Sequence, residues 1–212
     1  MTRLTFIRHG ESNVSVERRV GGWRTCSGLS PLGHRQAAAL AERLARSNEL
    51  SADALVTSQF PRAIETAAPL HDVFGLTPVV IDGFGEHDPG PELDGKPWAE
   101  AARHMEHADW AGNPYLNGFP GGESIAAFHF RVSDTLSRFL ADDRGKSLVI
   151  VCHGGVVDVA FRHLMRMPMT GGFHLHTLNT SITEFTLDDA STTWKLVRYN
   201  DIAHLEGLPA ST

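Results

Sequence analysis

The chain has 212 residues, 42% hydrophobic and 21% charged, which provides for a substantial core and excludes wholesale disorder. Its formal net charge of −6, with no long Lys/Arg run, excludes nucleic-acid or anionic-membrane binding through the overall field. No run is long enough to span a bilayer, and Cys26 and Cys152 are too few for a disulfide-stapled domain.

The N-terminus, "MTRLTFIRHG", lacks the apolar stretch and small-residue cleavage site of a secretory signal. A cytoplasmic protein of one domain is the expectation. Leu4 to Ile7 is short, apolar and partly β-branched, and reads as a buried strand. "LSPLGHRQAAALAERLARS" reads as a helix, with Ser30 as N-cap and Pro31 at its first position. "ADALVTS" (52–58) is a second strand, and "PRAIETAAPLHDVFG" is a second helix that Pro69 should kink or shorten. "TPVVID" (77–82) is predicted as a third strand.

Residues 84–120 break this rhythm, being rich in Gly and Pro with only a weak helix near 97–109. They are expected to form an insertion capping the site, with Trp98, Trp110, Tyr115 and Phe119 mostly as its small core or, alternatively, as a pocket lining. "GESIAAFHFRVSDTLSRFLADD" then places Phe128, Val132, Leu136, Phe139 and Leu140 on one helical face. "SLVIVC" is a near-continuous apolar strand of the central parallel kind, with Cys152 a buried free thiol. A helix from "GGVVDVAFRHLMRM" and two late strands, "SITEFTL" and "TWKLVRY", complete the pattern. Strands alternating with helices predict an α/β fold, a three-layer α/β/α sandwich with a mostly parallel sheet.

"FIRHGES" and "LVIVCHGG" share a feature: an apolar run ends in His and Gly. In an open α/β sheet, ligands bind beyond the C-terminal ends of strands, near helix N-termini. A single His there is more often just the polar end of a core strand; two, one beside Arg8, point to function. A third element joins them, with Arg62 in the first turn of its helix, at the positive end of the dipole where Arg is disfavoured. The bland alternative pairs it with Glu65 or Asp53 on the surface.

"RHGES", "LSPLGHRQA", "SQFPRAIETA", "PGGES" and "VCHGG" occur in the order seen in the histidine phosphatase superfamily, also called phosphoglycerate-mutase-like, and "VRYNDIAHL" resembles that family's close. The resemblance spans roughly residues 3–205, so that 1–212 is expected to be a single histidine-phosphatase-like domain. It implies a histidine (acid-type) phosphatase with a phosphohistidine intermediate and no metal or organic cofactor.

The chemistry of the residues is consistent with that. A phosphate monoester is a dianion, so its transfer rests on positioning and on neutralising the equatorial oxygens. Arg8 and Arg62 each offer a planar fork of donors, and His153, if protonated, adds a third cationic donor. Chemistry alone leaves the nucleophile open between His9 and His153; the resemblance assigns it to His9. Ser12 and Ser15 are candidate hydroxyl donors, and Gly22 and Gly154 candidate backbone N–H donors. The family usually has Asn where this chain has Ser15. The resemblance places the proton donor at Glu86 in "GFGEHDPG", with Asp88 and Glu92 as competitors.

The pairs His104/His107 and His174/His176 lack the partners of a metal site. "GGES" lacks the G-x-S-x-G order of a nucleophile elbow, and "GFGEHDPG" is followed by no Gly-Lys-Ser/Thr. A hydrolase acting on a small phosphorylated metabolite is preferred over a mutase-type phosphotransferase. A mutase must hold a bisphosphate, and 84–120 contains only Lys96 and Arg103 against seven acidic residues, although Arg18, Arg19 and Arg24 partly compensate. A non-catalytic phospho-ligand-binding protein is the remaining alternative. A homodimer is left open by the sequence.

Overall fold

The computed structural model describes residues 1–211 other than 106–111, 117, 172, 174, 189 and 191. Its strands are β1 (Thr2–Arg8), β2 (Ala54–Thr57), β3 (Val79–Val80), β4 (Ser147–Cys152), β5 (Ile182–Leu187) and β6 (Lys195–Asp201). They form one sheet in the order β3-β2-β4-β1-β5-β6. The first four pair in parallel, while β5 and β6 are antiparallel.

The helices are α1 (Asn13–Val16), α2 (Pro31–Ser47), α3 (Pro61–Ala67), α4 (Leu70–Phe74), α5 (Gly90–Leu93), α6 (Trp98–Met105), α7 (Ile125–Asp142) and α8 (Gly154–Leu164). Side chains alternate along the central strands and feed two cores. Leu148, Ile150 and Cys152 of β4 pack with Val132, Leu136 and Val156 on one face. Val149 and Val151 pack with Leu40, Leu44 and Ala63 on the other. These two apolar faces make the three layers.

Local side-chain chemistry sets several boundaries, at Ser30 and Pro69 as predicted. Ser30 accepts a hydrogen bond from Gly33 N–H at 3.0 Å and opens α2, while Ser124 caps α7 through Ala127 N–H at 3.1 Å. Pro69 divides the second predicted helix into α3 and α4. The third strand is shorter than predicted. It keeps only Val79 and Val80, both about half exposed at the sheet edge, and the chain turns at Asp82–Phe84. With one neighbour and little burial, nothing extends the pairing.

Within 84–120, residues 95–98 pair with the loop after α1. Val20 N–H donates to Lys96 O and Gly95 N–H to Val20 O, both at 2.8 Å. The predicted aromatic core of 84–120 is not what forms: Trp98 and Tyr115 are exposed, and Leu93 and Ala101 are buried instead. Phe119 packs on His87 with ring centroids 5.4 Å apart. Trp110 lies outside the described residues.

Beyond β6, Arg43 and Arg198 knit the sheet to α2 by sharing Glu49 and Asp201. The Arg43 guanidinium holds Asp201 well below the usual carboxylate range and Glu49 at about 2. Such carboxylates stabilise the fold above their unfolded pKa, and that contribution is lost as pH falls through the folded value. Asp201→Asn is therefore expected to cost about 1–2 kcal/mol near neutral pH, discounted for partial exposure. Thermal melts of the two proteins should converge as pH falls below the ordinary aspartate range.

Candidate active site

In β1 and β4, paired in parallel, Arg8 lies opposite Cys152, so His9 and His153 leave neighbouring strands at the same level. His9 N–H donates to Cys152 O at 2.9 Å and ties the two junctions together. The two rings meet edge to face with centroids 5.1 Å apart. Gly10 follows because the turn presses on α2: a Cβ there would lie 2.7 Å from Gly33 O. Phe60 precedes α3 and packs its ring on His153 at 4.5 Å. One residue into α3, Arg62 reaches His9.

The protonation of His9 follows from its partners. Nδ1 is 2.6 Å from Gly10 O, and Arg62 Nε is 3.0 Å from His9 Nε2. A carbonyl only accepts and a guanidinium only donates. His9 thus carries its proton on Nδ1 and presents a lone pair on Nε2. Burial, then the charges of Arg62 and Arg8, hold its pKa well below the usual histidine range.

Arg62 is only 4% exposed, and its Nη1 donates to Gly21 O at 3.0 Å. The surface pairing with Glu65 or Asp53 does not form; those carboxylates accept from Leu29 and Ser147 N–H groups. Arg8 donates Nη1 to Thr177 O, while its buried Nε finds no partner among the described residues. His153 Nε2 lies 2.7 Å from Ser58 Oγ, and its buried Nδ1 is likewise without a partner among them. Burial and then Arg62 push the His153 pKa well down, so a third cation at this position is not favoured. A buried polar atom left without a partner costs about 1–3 kcal/mol.

Glu86 stands beside this cluster at the N-terminus of α8. Its carboxylate accepts from His87 N–H at 2.9 Å and from Gly155 N–H at 3.1 Å. Arg131 of α7 fixes the supporting loop by donating to Gly83 O, Gly85 O and Glu86 O while pairing with Glu123. Asp88 is engaged by both Nη groups of Arg24, which holds its pKa down. Glu92 is exposed. A cavity of about 220 Å³ lined by Trp23, Phe60, Glu86, Asp88, Glu123 and Arg131 opens next to Glu86.

The remaining predicted contacts are mixed. Gly154 begins α8 beside Arg8, with 3.8 Å from its Cβ position to Arg8 Nε. Ser12 and Ser15 hydroxyls are bonded to each other at 2.9 Å. Gly22 does not offer its N–H to a ligand, because Asp94 takes it at 2.9 Å. Four further residues contribute that carry no motif of their own. Thr66 accepts from Gly10 N–H at 3.0 Å, Asn179 donates to His9 O at 2.9 Å, Thr177 receives Arg8, and Ser58 meets His153. Ser58 and Thr66 flank Arg62 in "SQFPRAIET", which was the available signal; Thr177 and Asn179 arrive from a distant loop that gave none.

Gly155 has a specific steric reason. A Cβ there would sit 2.3 Å from Glu86 Oε1 and 3.1 Å from the Phe128 ring. Gly155→Ala is expected to push Glu86 aside and cut turnover about 10²-fold while leaving the melting temperature nearly unchanged. Kinetics and a thermal melt on the same sample check this.

The His9 lone pair thus sits beside the Arg62 guanidinium where the parallel strands β1 and β4 end. The sequence profile of the histidine phosphatase superfamily (branch 1) matches residues 4–202, and the chain belongs to that family. It is 34% identical over 198 residues to the bifunctional protein Rv2228c of Mycobacterium tuberculosis, covering 90% of this chain and 52% of the relative. The chain thus spans about half the length of that relative. The metal-independent phosphoserine phosphatase of Arabidopsis thaliana is 27% identical, with 98% of this chain and 85% of the relative covered. The solved mycobacterial glucosyl-3-phosphoglycerate phosphatase Rv2419c, in complex with VO3, superposes with a TM-score of 0.74 at 27% identity, over 93% of this chain and 98% of that one.

Among the described residues no helix is long and apolar enough to cross a membrane. None of their His, Cys, Asp and Glu side chains gather in a group of three that could hold a metal ion. His107 and His174, each half of a pair weighed in the sequence, lie outside the described residues.

Proposed function

We propose that the chain is a metal-independent phosphomonoester hydrolase of the acid type that acts on a small phosphorylated metabolite through a phosphohistidine on His9. The observation that carries this is the His9 tautomer. Nδ1–H is spent on Gly10 O, so the Nε2 lone pair is available as nucleophile beside Arg62. Residues 1–212 act as one domain in this reading, with 84–120 capping the site.

When a phosphoryl group enters, the hydrogen bond from Arg62 Nε–H turns from His9 Nε2 to an equatorial oxygen, the proton staying on Arg62, and Arg8 Nε supplies a second donor. His9 Nε2 then forms the P–N bond as the P–O bond to the leaving group breaks. Glu86 gives that alkoxide a proton, being the carboxyl next to α8 that no Arg side chain occupies, whereas Arg24 occupies Asp88. In the second half, water attacks phosphorus, its proton passes to Glu86, and the P–N bond breaks to release phosphate and restore His9. Arg19 and Arg24 turn toward Glu17, Gly95 O, Asp88 and Asp94, so they are not poised to retain a bisphosphate. That arrangement supports hydrolase over mutase.

The test is a screen of phosphorylated metabolites, phosphoserine and phosphoglycerates included, with and without EDTA. Turnover is expected to survive chelation, since two guanidiniums supply the positive charge a metal would bring. Loss with EDTA and recovery with a divalent ion would overturn metal independence.

A further inference from the structure

Ser58 is fully buried at the end of β2, and its Oγ has two contacts among the described hydrogen bonds: His153 Nε2 at 2.7 Å and Phe60 N–H at 3.4 Å. The Phe60 amide can only donate, so it occupies a lone pair of Oγ and leaves the hydroxyl proton in need of an acceptor. Nε2 is the acceptor in reach. We propose that Ser58 is a positioning residue for His153: its hydroxyl donates to Nε2 and holds the ring neutral, with the remaining proton on Nδ1 as a donor to the phosphoryl group.

The opposite arrangement fails on counting. Were Nε2 protonated, it would donate to Ser58, and the buried hydroxyl would have no acceptor in turn. Nδ1 would then carry a lone pair in a pocket holding Arg8 and Arg62, yet Arg8 Nε and His153 Nδ1 both remain unpartnered rather than bonded to each other. A proton on each nitrogen agrees with that, since neither then offers the other an acceptor. A charged ring would place a third cation beside Arg8 and Arg62 in a buried site, and the low pKa agrees with its absence.

A neutral His153 also matches the charge of the ligand. Arg8 and Arg62 balance a phosphate dianion, and His153 then adds direction without further charge. A third cation would also lower the electron density available on His9. The use of Nδ1–H toward phosphate rests on the proposed hydrolase reading; the direction of the Ser58 bond does not.

The test is a long-range proton–nitrogen correlation spectrum of the full chain with nitrogen-15-labelled histidine at neutral pH, His153 being assigned by its loss in His153→Gln. The expected pattern is a pyrrole-like Nδ1 and a pyridine-like Nε2. In Ser58→Ala this single tautomer should be lost and kcat/KM should fall about tenfold, the size of one hydrogen bond. A protonated Nε2 in the unsubstituted protein overturns the proposal, whatever the variant's stability. Retention of the pure Nδ1–H form in a folded Ser58→Ala overturns it too. Absence of phosphatase activity in the unsubstituted protein would instead refute the function and leave the tautomer assignment standing.

Discussion

His9→Ala is expected to lower turnover at least about 10⁴-fold while the protein stays folded. No neighbour can take over the attack. His153 Nε2 is engaged by Ser58, the Glu86 carboxylate accepts from the His87 and Gly155 N–H groups, and Arg8 and Arg62 are always protonated. Removing the ring gives up the hydrogen bond to Gly10 O and the one from Arg62 Nε, so the loss of stability should stay at about 2 kcal/mol. Vanadate or phosphate should still bind, because Arg8, Arg62 and His153 remain. Steady-state kinetics, a thermal melt and a phosphate titration on the variant separate these effects.

The second large effect concerns Glu86. General acid catalysis is worth about 10²–10⁴-fold, in proportion to how badly the leaving group needs a proton. An alkyl monoester releases a strongly basic alkoxide, whereas p-nitrophenyl phosphate releases a stable phenolate. Glu86→Gln keeps the shape of the side chain and its acceptor for Gly155 N–H but loses the transferable proton. It should cut turnover of the alkyl ester severely and of the nitrophenyl ester much less, where phosphorylation of His9 limits both. Arg62→Ala should damage both substrates alike, since it binds the group they share. Equal losses for Glu86→Gln would make Glu86 a binding residue and return the acid role to Asp88 or Glu92.

What the sequence could show was whatever is written locally. The apolar runs around Phe6 and Ile150 can be buried only as central strands, and each ends in His-Gly, so the two histidines were placed before any contact was known. Arg62 was marked by its misfit at the positive end of a helix, and Ser30 and Pro69 by their own backbone chemistry. The charge state of His153 was not written locally. It depends on Arg62 and Arg8, which are remote in sequence, and on the burial they share. Gly22 is a candidate donor in the sequence, yet Asp94, far along the chain, occupies its N–H. The same holds for Asn179 and Thr177, which reach the His9 turn from the segment before β5. The third strand shrank because pairing at an exposed edge depends on a neighbour that local β-propensity cannot supply.

The central claim is that phosphorus becomes bonded to His9. Mixing the protein with a rapidly hydrolysed phosphomonoester, quenching without acid within the first turnover and locating the added phosphoryl group by mass spectrometry tests it directly. The account predicts a phosphoryl group on the peptide containing His9, appearing faster than free phosphate in the steady state and absent in His9→Ala. A group on His153, or turnover with no labelled histidine at any time, would contradict it.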